Sequence, residues 1–487
     1  MGLKQELAEI LGAANVFDDP ETVRKYAQDM SLAEPRKPAC VVKVGSTDEV
    51  RKLVELANKE LIPLTPISSP DGPRMHGDTI PAPGGVVLDL SRLNKVLRVD
   101  RRNRVAHIQP GVTFSELGLQ LKESGLKPFL TLMPRRTKSV LTSYLEKNPI
   151  LTPRHHWDTL DPILTLEVVY GTGDIMRTGS AAGPGTTDEL IAAGVGHVSP
   201  FGPDTMDFAR LVQGAQGTMG IVTRATCACS LMPAIQRPYF VPSANIEGLV
   251  EFMYALLRKR LGEELFLINN FALANMSYSN HEDIESVSAE LAPWIVFLNI
   301  EGYEKRPEER IAYQQEDITE IAQEYGLALL QSVAGISSFK FLKALEEPAQ
   351  DEHWKLRFRG NCQDILFTTT LDRIQELVDH IYKAAAQHGY DPNEIGVYIQ
   401  PVVQGSSCQC EIDLMYDPEN MREVEKVKGF YLYLCETLAN LGAFYSRPYG
   451  AMADIAYRRD AETTALLRKV RAIFDPKNIL NPGKLCF

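Results

Sequence analysis

Apolar residues in "STDEVRKLVELANKE" fall at Val50, Leu53, Val54 and Ala57, which is one face of a helix of 3.6-residue period. Ser46 and Glu49 stand at capping-box spacing just before that face and mark its start. The flanking runs "ACVVKV" and "IPLTPIS" are short and apolar, so the stretch predicts a strand–helix–strand unit. "GGVVLDLSRLNKVLRVDRRNRVAHIQPGV" predicts a series of short alternating strands. "TFSELGLQLKESGL" predicts a helix with a second capping box at Thr113 and Glu116. In "ILTLEVVYGTGDIMRTG" two strand patterns meet at a Gly-Thr-Gly-Asp turn, the mark of a hairpin. The first half of the chain is α+β.

The pattern changes after the proline-punctuated "LMPAIQRPYFVP" near Met232 to Pro242. Longer amphipathic helices are expected at 245–262, 307–326, 372–389 and 419–441, with strand-like "WIVFLNIEG" and "CEIDLMYD" among them. A last helix, "DAETTALLRKVRAIF", leads into the tail "DPKNILNPGKLCF". At 487 residues the chain exceeds what one core usually holds, so a domain boundary is expected at this change of character.

Composition narrows the class. A hydrophobic fraction of 44% and a charged fraction of 23% are those of a soluble globular protein. The net charge of −12 argues against a nucleic-acid or anionic-membrane surface. "MGLKQELAEILGAANVF" mixes charge with apolar residues at helical spacing, unlike a signal peptide, and is expected to be retained. No run of about 18 apolar residues predicts a membrane span, and a cytoplasmic location is the default expectation. Eight cysteines without a CxxC pair suggest neither a disulfide scaffold nor a metal site; "CAC" at 227–229 and "CQC" at 408–410 put paired thiols on one strand face, as buried reduced cysteines.

Two loops carry candidate chemistry. "IPLTPISSPDGPRMHGDTIPAPGG", residues 62–85, is too rich in Gly, Pro and Ser to continue a helix or strand, which leaves backbone N–H groups to bind something else. "LVQGAQGTMGIVTRAT" has glycines at 214, 217 and 220 just before a strand, where backbone can approach a flat or anionic ligand; an ordinary tight loop accounts for it equally. It is not a dinucleotide fingerprint, which needs a strand before and a helix after. Adjacent histidines in "RHHW" point to opposite faces of an extended chain, so at most one could chelate, and no metal is expected.

In order along the chain, "ACVVKVGSTDEVRKLVELANKELIPLTP", "GGVVLDLSRLNKVLRVD", "VAHIQPGVTFSELGLQL", "LTLEVVYGTGDIMRTG", "GAQGTMGIVT" and "FDPKNILNPGK" resemble the flavoprotein family that includes vanillyl-alcohol oxidase, 4-cresol dehydrogenase, glycolate oxidase and D-lactate dehydrogenase. The resemblance implies an α+β fold: a two-subdomain FAD-binding domain of the vanillyl-alcohol oxidase type with an α+β cap. It divides the chain into an N-terminal helical segment (1–35), the FAD-binding domain (36–233), the cap (234–440) and a C-terminal segment returning to the FAD domain (441–487). It also implies FAD held by Pro66, Ser68, Ser69, Gly72 and Gly77, by Gly111 and Val112, by Gly214, Gly217, Gly220 and Ile221, and by Asn481 and Lys484.

"SYLEKNPILTPRHHW", with Leu145, Glu146, Thr152 and Pro153 matching, and "GAFYSRPYG", with Arg447 on the substrate-binding arginine, are similar to the aryl-alcohol and alkylphenol branch. By that resemblance His156 takes roughly the position of the catalytic base, with Asp158 a competing choice. The expected activity is oxidation of an aryl alcohol or para-substituted phenol carrying an anionic group, by hydride transfer to flavin N5. The alternatives are a 2-hydroxyacid dehydrogenase, against which the absence of a His-x-Gly-Asp-Gly-Asn-x-His metal motif near "YIQPVVQGSSCQCEID" counts, and a flavin-storing or structural subunit of a larger redox complex. A redox partner protein and self-association are also expected from the family.

The departures are specific. Ser68, Ser69, Pro70 and Asp71 replace consecutive glycines, so Asp71 must face solvent or a cation if FAD binds. "TKSVLTSY" lacks the Gly-Gly of the second loop. Ser446 stands where the phenol branch has one phenolate-binding tyrosine, and Met75 or His76 stands near the other. No residue aligns as a covalent flavin anchor.

Overall fold

The computed structural model describes residues 2–153, 162–202, 207–348 and 352–487. The expected strand–helix–strand unit is present as Cys40–Lys43, the helix Thr47–Glu60 and Leu64–Ile67. Its strands are not neighbours: Val86–Asp89 lies between them, parallel to both, and Val16–Phe17 adds an antiparallel edge. The helix buries Val50, Leu53, Val54 and Ala57, the face read from its period. Its cap is shifted by one residue. Ser46 Oγ accepts from Glu49 N, but the Glu49 carboxylate reaches Gly45 N at 2.7 Å. At Thr113 and Glu116 both halves of the box form, at 3.3 and 2.9 Å.

A second sheet is antiparallel, in the order Val96–Asp100, Val105–Ile108, Ile221–Leu231, Ile163–Val169, Ile175–Arg177, with Leu126–Pro128 also paired to Ile221–Leu231. The 163–177 hairpin turns at Gly173, whose φ of 90° suits glycine.

The third sheet is built wholly from later residues: Ile235–Ser243, Trp294–Gly302, Glu264–Asn269, Ile395–Val402, Ser407–Tyr416 and Asn361–Thr369, all antiparallel. Its two faces are covered separately. Leu265, Leu267, Val296 and Leu298 pack under the helices Ile246–Lys259, Pro307–Glu324, Ile374–Gln387 and Met421–Asn440. The alternating residues Phe266, Ile268, Ile295 and Phe297 face a smaller core with Phe271, Phe341, Trp354 and Tyr398. That smaller core turns toward the first half of the chain through Met133 and Leu151.

All eight cysteines are buried and unpaired; Cys408 and Cys410 share a strand face with sulfurs 4.0 Å apart. Among the described residues no helix is long and apolar enough to cross a membrane.

Candidate functional site

The loop after Leu64–Ile67 leaves the C-terminal end of the parallel strands and meets the segment that starts the short helix Val140–Leu145. Ser139 holds the junction. Its hydroxyl donates to Pro110 O at 2.6 Å and accepts from Thr142 N at 3.1 Å, while its own N–H donates to Ser69 Oγ. The Ser68 and Thr142 hydroxyls also bond to each other. Thus the two serines join one loop to the next, where consecutive glycines would have left backbone bare.

Pro66, Ser68, Gly214, Gly217, Gly220 and Ile221 line one cleft with Pro110, Thr142 and Tyr449. Gly217 is required there: at φ 73°, a Cβ would stand 2.5 Å from Pro66 Cγ. Ser69 lines an adjoining cavity that continues past Met75, His76, Arg135, Lys138 and Glu146.

Other expected cofactor residues have different work. Gly111 N donates to Leu93 O and Val112 N to Gln109 O, so their amides are internally bonded and Pro110 is the residue at the cleft. Gly72 lies on the outer side of its loop beside Asp71. Asp71 is exposed, as a carboxylate near a diphosphate must be. Gly77 donates to Asp29 Oδ2 and accepts from Lys484 Nζ at 2.6 Å. Asn481 Nδ2 bridges Asp78 O and Gln216 O, at 2.9 and 2.7 Å, and its backbone N–H donates to Leu64 O. Asn481 and Lys484 therefore fasten the cofactor loops from behind. His156 and Asp158 lie outside the described residues.

The cleft continues into a cavity under the third sheet, where Arg447, His76, Lys138 and Glu146 meet Leu132, Trp354, Leu366 and Tyr398. Arg447 is 4% exposed, and its Nε donates to Glu146 O at 2.7 Å. Lys138 holds both oxygens of Glu146 at 2.8 Å. Burial alone would raise the Glu146 carboxyl, but Lys138, His76 and Arg447 outweigh it and keep the group below its ordinary range. Burial, reinforced by Glu146, instead raises Asp78. Ser446 turns away from the cavity to bond Thr368 at 2.8 Å. The phenolic rings at the site come from Tyr398 and Tyr449.

Sequence reading missed a buried cation beside this cavity. Lys355 Nζ lies 2.9 Å from Asp364, 2.5 Å from Glu411 and 3.0 Å from Asp413. It fills the centre of the only such carboxylate cluster bordering the cavity among the described residues.

The polar end of the cleft fits a diphosphate. Arg74 and Arg135 line it together with Asp78 and the Lys138–Glu146 pair, and the buried Nε atoms of Arg74 and Arg135 have no partner among the described residues. Arg135 otherwise donates to the carbonyls of Asp71 and Pro73, which fixes it against the loop. An anionic group there would supply the missing acceptors.

A glycine-walled cleft closed by a separate antiparallel sheet defines a two-domain flavoprotein. The chain belongs to the FAD-linked oxidases: the profile of the FAD binding domain matches residues 38–179, and that of the FAD linked oxidases' C-terminal domain matches 280–485. It is 23% identical to glycolate oxidase subunit GlcD of Bacillus subtilis, over 99% of this chain and 96% of that protein. It is also 23% identical to the 4-cresol dehydrogenase [hydroxylating] flavoprotein subunit of Pseudomonas putida, over 99% and 94%. The crystal structure of p-cresol methylhydroxylase with substrate bound shares the fold, with a TM-score of 0.83 over 99% of this chain and 96% of that one at 17% identity. The protein is an FAD-dependent oxidoreductase, and the resemblance in the sequence is confirmed at the level of family, fold and cofactor.

The position of Asn481 gives a direct test of how the cofactor loops are held. Deleting residues 476–487 removes its bridge, the Lys484 bond and the backbone bonds to Leu64. At ~1 kcal/mol for each buried bond, the expected loss is about 3–5 kcal/mol, with flavin content falling in parallel. Full flavin occupancy of the purified truncated protein would contradict this role.

Proposed function

We propose that the protein oxidises an aryl alcohol or a para-substituted phenol whose anionic end binds Arg447. The observation that supports this is the cavity itself: one side is formed by Leu132, Trp354, Leu366 and Tyr398, and the polar side presents the buried Arg447 guanidinium among groups that are largely paired with one another, Lys138 with Glu146 and Lys355 with Asp364 and Glu411. Such a site favours a flat apolar body with one negative end. Bound FAD supplies the two-electron acceptor. The chain's residues orient the donor carbon, exclude water and take the hydroxyl proton; as the C–H bond breaks with its electron pair, the product leaves as a carbonyl or quinone-like compound. The sequence resemblance offers His156 or Asp158 for that proton, both outside the described residues; the described residues offer a third acceptor, taken up below.

The glycolate oxidase relative supports a second reading, a 2-hydroxyacid whose carboxylate binds Arg447. Anaerobic rapid mixing with each substrate class, followed by flavin bleaching, separates them. Reduction by the hydroxyacid alone would reverse the order of preference. The flavin-storing reading requires that neither class reduce the flavin. The relative described as a flavoprotein subunit supports a protein electron acceptor for this chain too, and we propose a homo-oligomer, to be checked by light scattering.

Because no histidine or tyrosine of the sequence aligns with a covalent flavin anchor, acid precipitation should release the flavin into the supernatant. Yellow colour retained on the denatured chain would show a covalent link.

A further inference from the structure

His76 stands where the chamber holding Arg447 meets two others. It lines the substrate cavity, the polar end of the cofactor cleft and a third chamber that runs past Tyr431 and Met452 to the partly exposed Lys428 and Leu432. Its ring is stacked on Tyr449, with centroids 4.3 Å apart and planes 16° from parallel. Nε2 lies 3.2 Å from Asp364 Oδ2. Lys355 holds that same carboxylate oxygen at 2.9 Å, so Asp364 is an ionised acceptor and the Nε2–H form of the ring is favoured. Nδ1 makes no hydrogen bond among the described residues. A histidine oriented by a carboxylate, with its other nitrogen free, has the arrangement of a general base.

We infer that His76, positioned by Asp364 and Tyr449, is the residue that takes the hydroxyl proton of the bound substrate and passes it to the outer chamber. This rests on the aryl-alcohol or phenol reading above. The O–H bond breaks, the proton goes to Nδ1, and its electrons stay on the substrate oxygen, whose negative charge faces Arg447. The groups that face His76 are Asp364 from the third sheet, Glu146 from the end of the Val140–Leu145 helix, Asp78 from its own loop, and Arg447 and Tyr449 from the C-terminal segment. Burial opposes the charged ring, and Arg447 adds to that opposition, but Asp364 and Glu146 together outweigh both and hold His76 above its ordinary pKa. The acid limb of flavin reduction should therefore fall above pH ~6.5.

The test uses the flavin-loaded full chain and a para-halogenated phenol that has no oxidisable carbon. The parent should bind this probe as phenolate at a pH below the probe's own pKa, seen as a phenolate difference band. His76→Gln should bind it as the neutral phenol, should lose the acid limb, and should reduce its flavin roughly 10²-fold more slowly with an oxidisable substrate. Asp364→Asn should keep the limb but move it to lower pH, which a merely structural role would not do. Persistence of the phenolate band in His76→Gln, its absence in the parent, or loss of the limb only in His156→Gln would each overturn the assignment. If the band depends on His76 but no aryl alcohol or phenol reduces the flavin, the proton role stands and the substrate reading fails.

Discussion

Replacing Arg447 by Ala is expected to raise the dissociation constant for phenolate and carboxylate inhibitors by about 10²-fold, or ~2.7 kcal/mol, while FAD stays bound. The guanidinium is almost fully buried, and one of its nitrogens is fixed on Glu146 O. Its remaining donors therefore reach a ligand without losing much side-chain freedom. Charge-assisted bonds in such a setting contribute roughly 1.5–3 kcal/mol each. FAD should remain because Arg447 borders the substrate cavity and is absent from the cleft formed by Pro66, Ser68 and Gly217. Arg447→Lys should recover only part of the affinity, since an ammonium cannot reproduce the planar fork. Titration of flavin absorbance with an anionic inhibitor measures both variants. Parental affinity in Arg447→Ala would show that the anion binds elsewhere, with Arg135 the next cation to test.

Much of the first half was legible in the sequence because its elements declare themselves locally. The helix face at Val50, Leu53, Val54 and Ala57, the cap at Thr113 and the hairpin around Gly173 depend on residues close together in the chain. The third sheet was read only in part. Glu264–Asn269 and Ile395–Val402 are buried on both faces, so their side chains form nearly continuous apolar runs without a two-residue alternation. The helix Asn270–Ser277 is likewise buried around most of its circumference and shows no polar face.

The site was harder to read for an electrostatic reason. In "CEIDLM" charged residues alternate with apolar ones, a pattern that ordinarily sends the charges to solvent, and "CQDILF" carries a single carboxylate beside a glutamine. Here Asp364 and Asp413 are direct cross-strand partners and both are buried. Like charges so placed are unfavourable without a counter-ion, and that counter-ion comes from Lys355, outside both strands. No spacing within either segment announces it. His76 was visible as a departure near an expected tyrosine, but its link to Asp364, 288 positions away, exists only in the fold.

The largest stability effect of a single substitution is expected from removing that counter-ion. Burial pushes the Lys355 ammonium toward neutrality, but Asp364, Asp413 and Glu411 more than reverse this and keep it charged. Lys355→Met should cost about 3–5 kcal/mol near neutral pH, the usual result of stranding buried charge, or a loss of roughly 10 °C in the unfolding transition of the cap. The sign of the pH dependence follows from the carboxylates. In the parent, burial with Glu411 and Asp364 raises Asp413 to about 7, so its contribution is present at low pH and lost as pH rises through that value. Burial would also raise Asp364, but Lys355 and His76 hold it well below the ordinary range, so its contribution is lost in strong acid. Without the ammonium, Asp364 loses its main stabiliser and both carboxyls rise. The folded variant then binds more protons than the unfolded chain, and its stability must fall with increasing pH. Thermal unfolding followed by circular dichroism should therefore show the deficit shrinking toward pH 5 and widening toward pH 8. Adding Asp364→Asn to Lys355→Met should recover part of the loss, because one stranded charge goes with the cation. A deficit that does not change with pH, or a double variant no better than the single one, would mean that Lys355 acts through packing and not as the counter-ion of the cap.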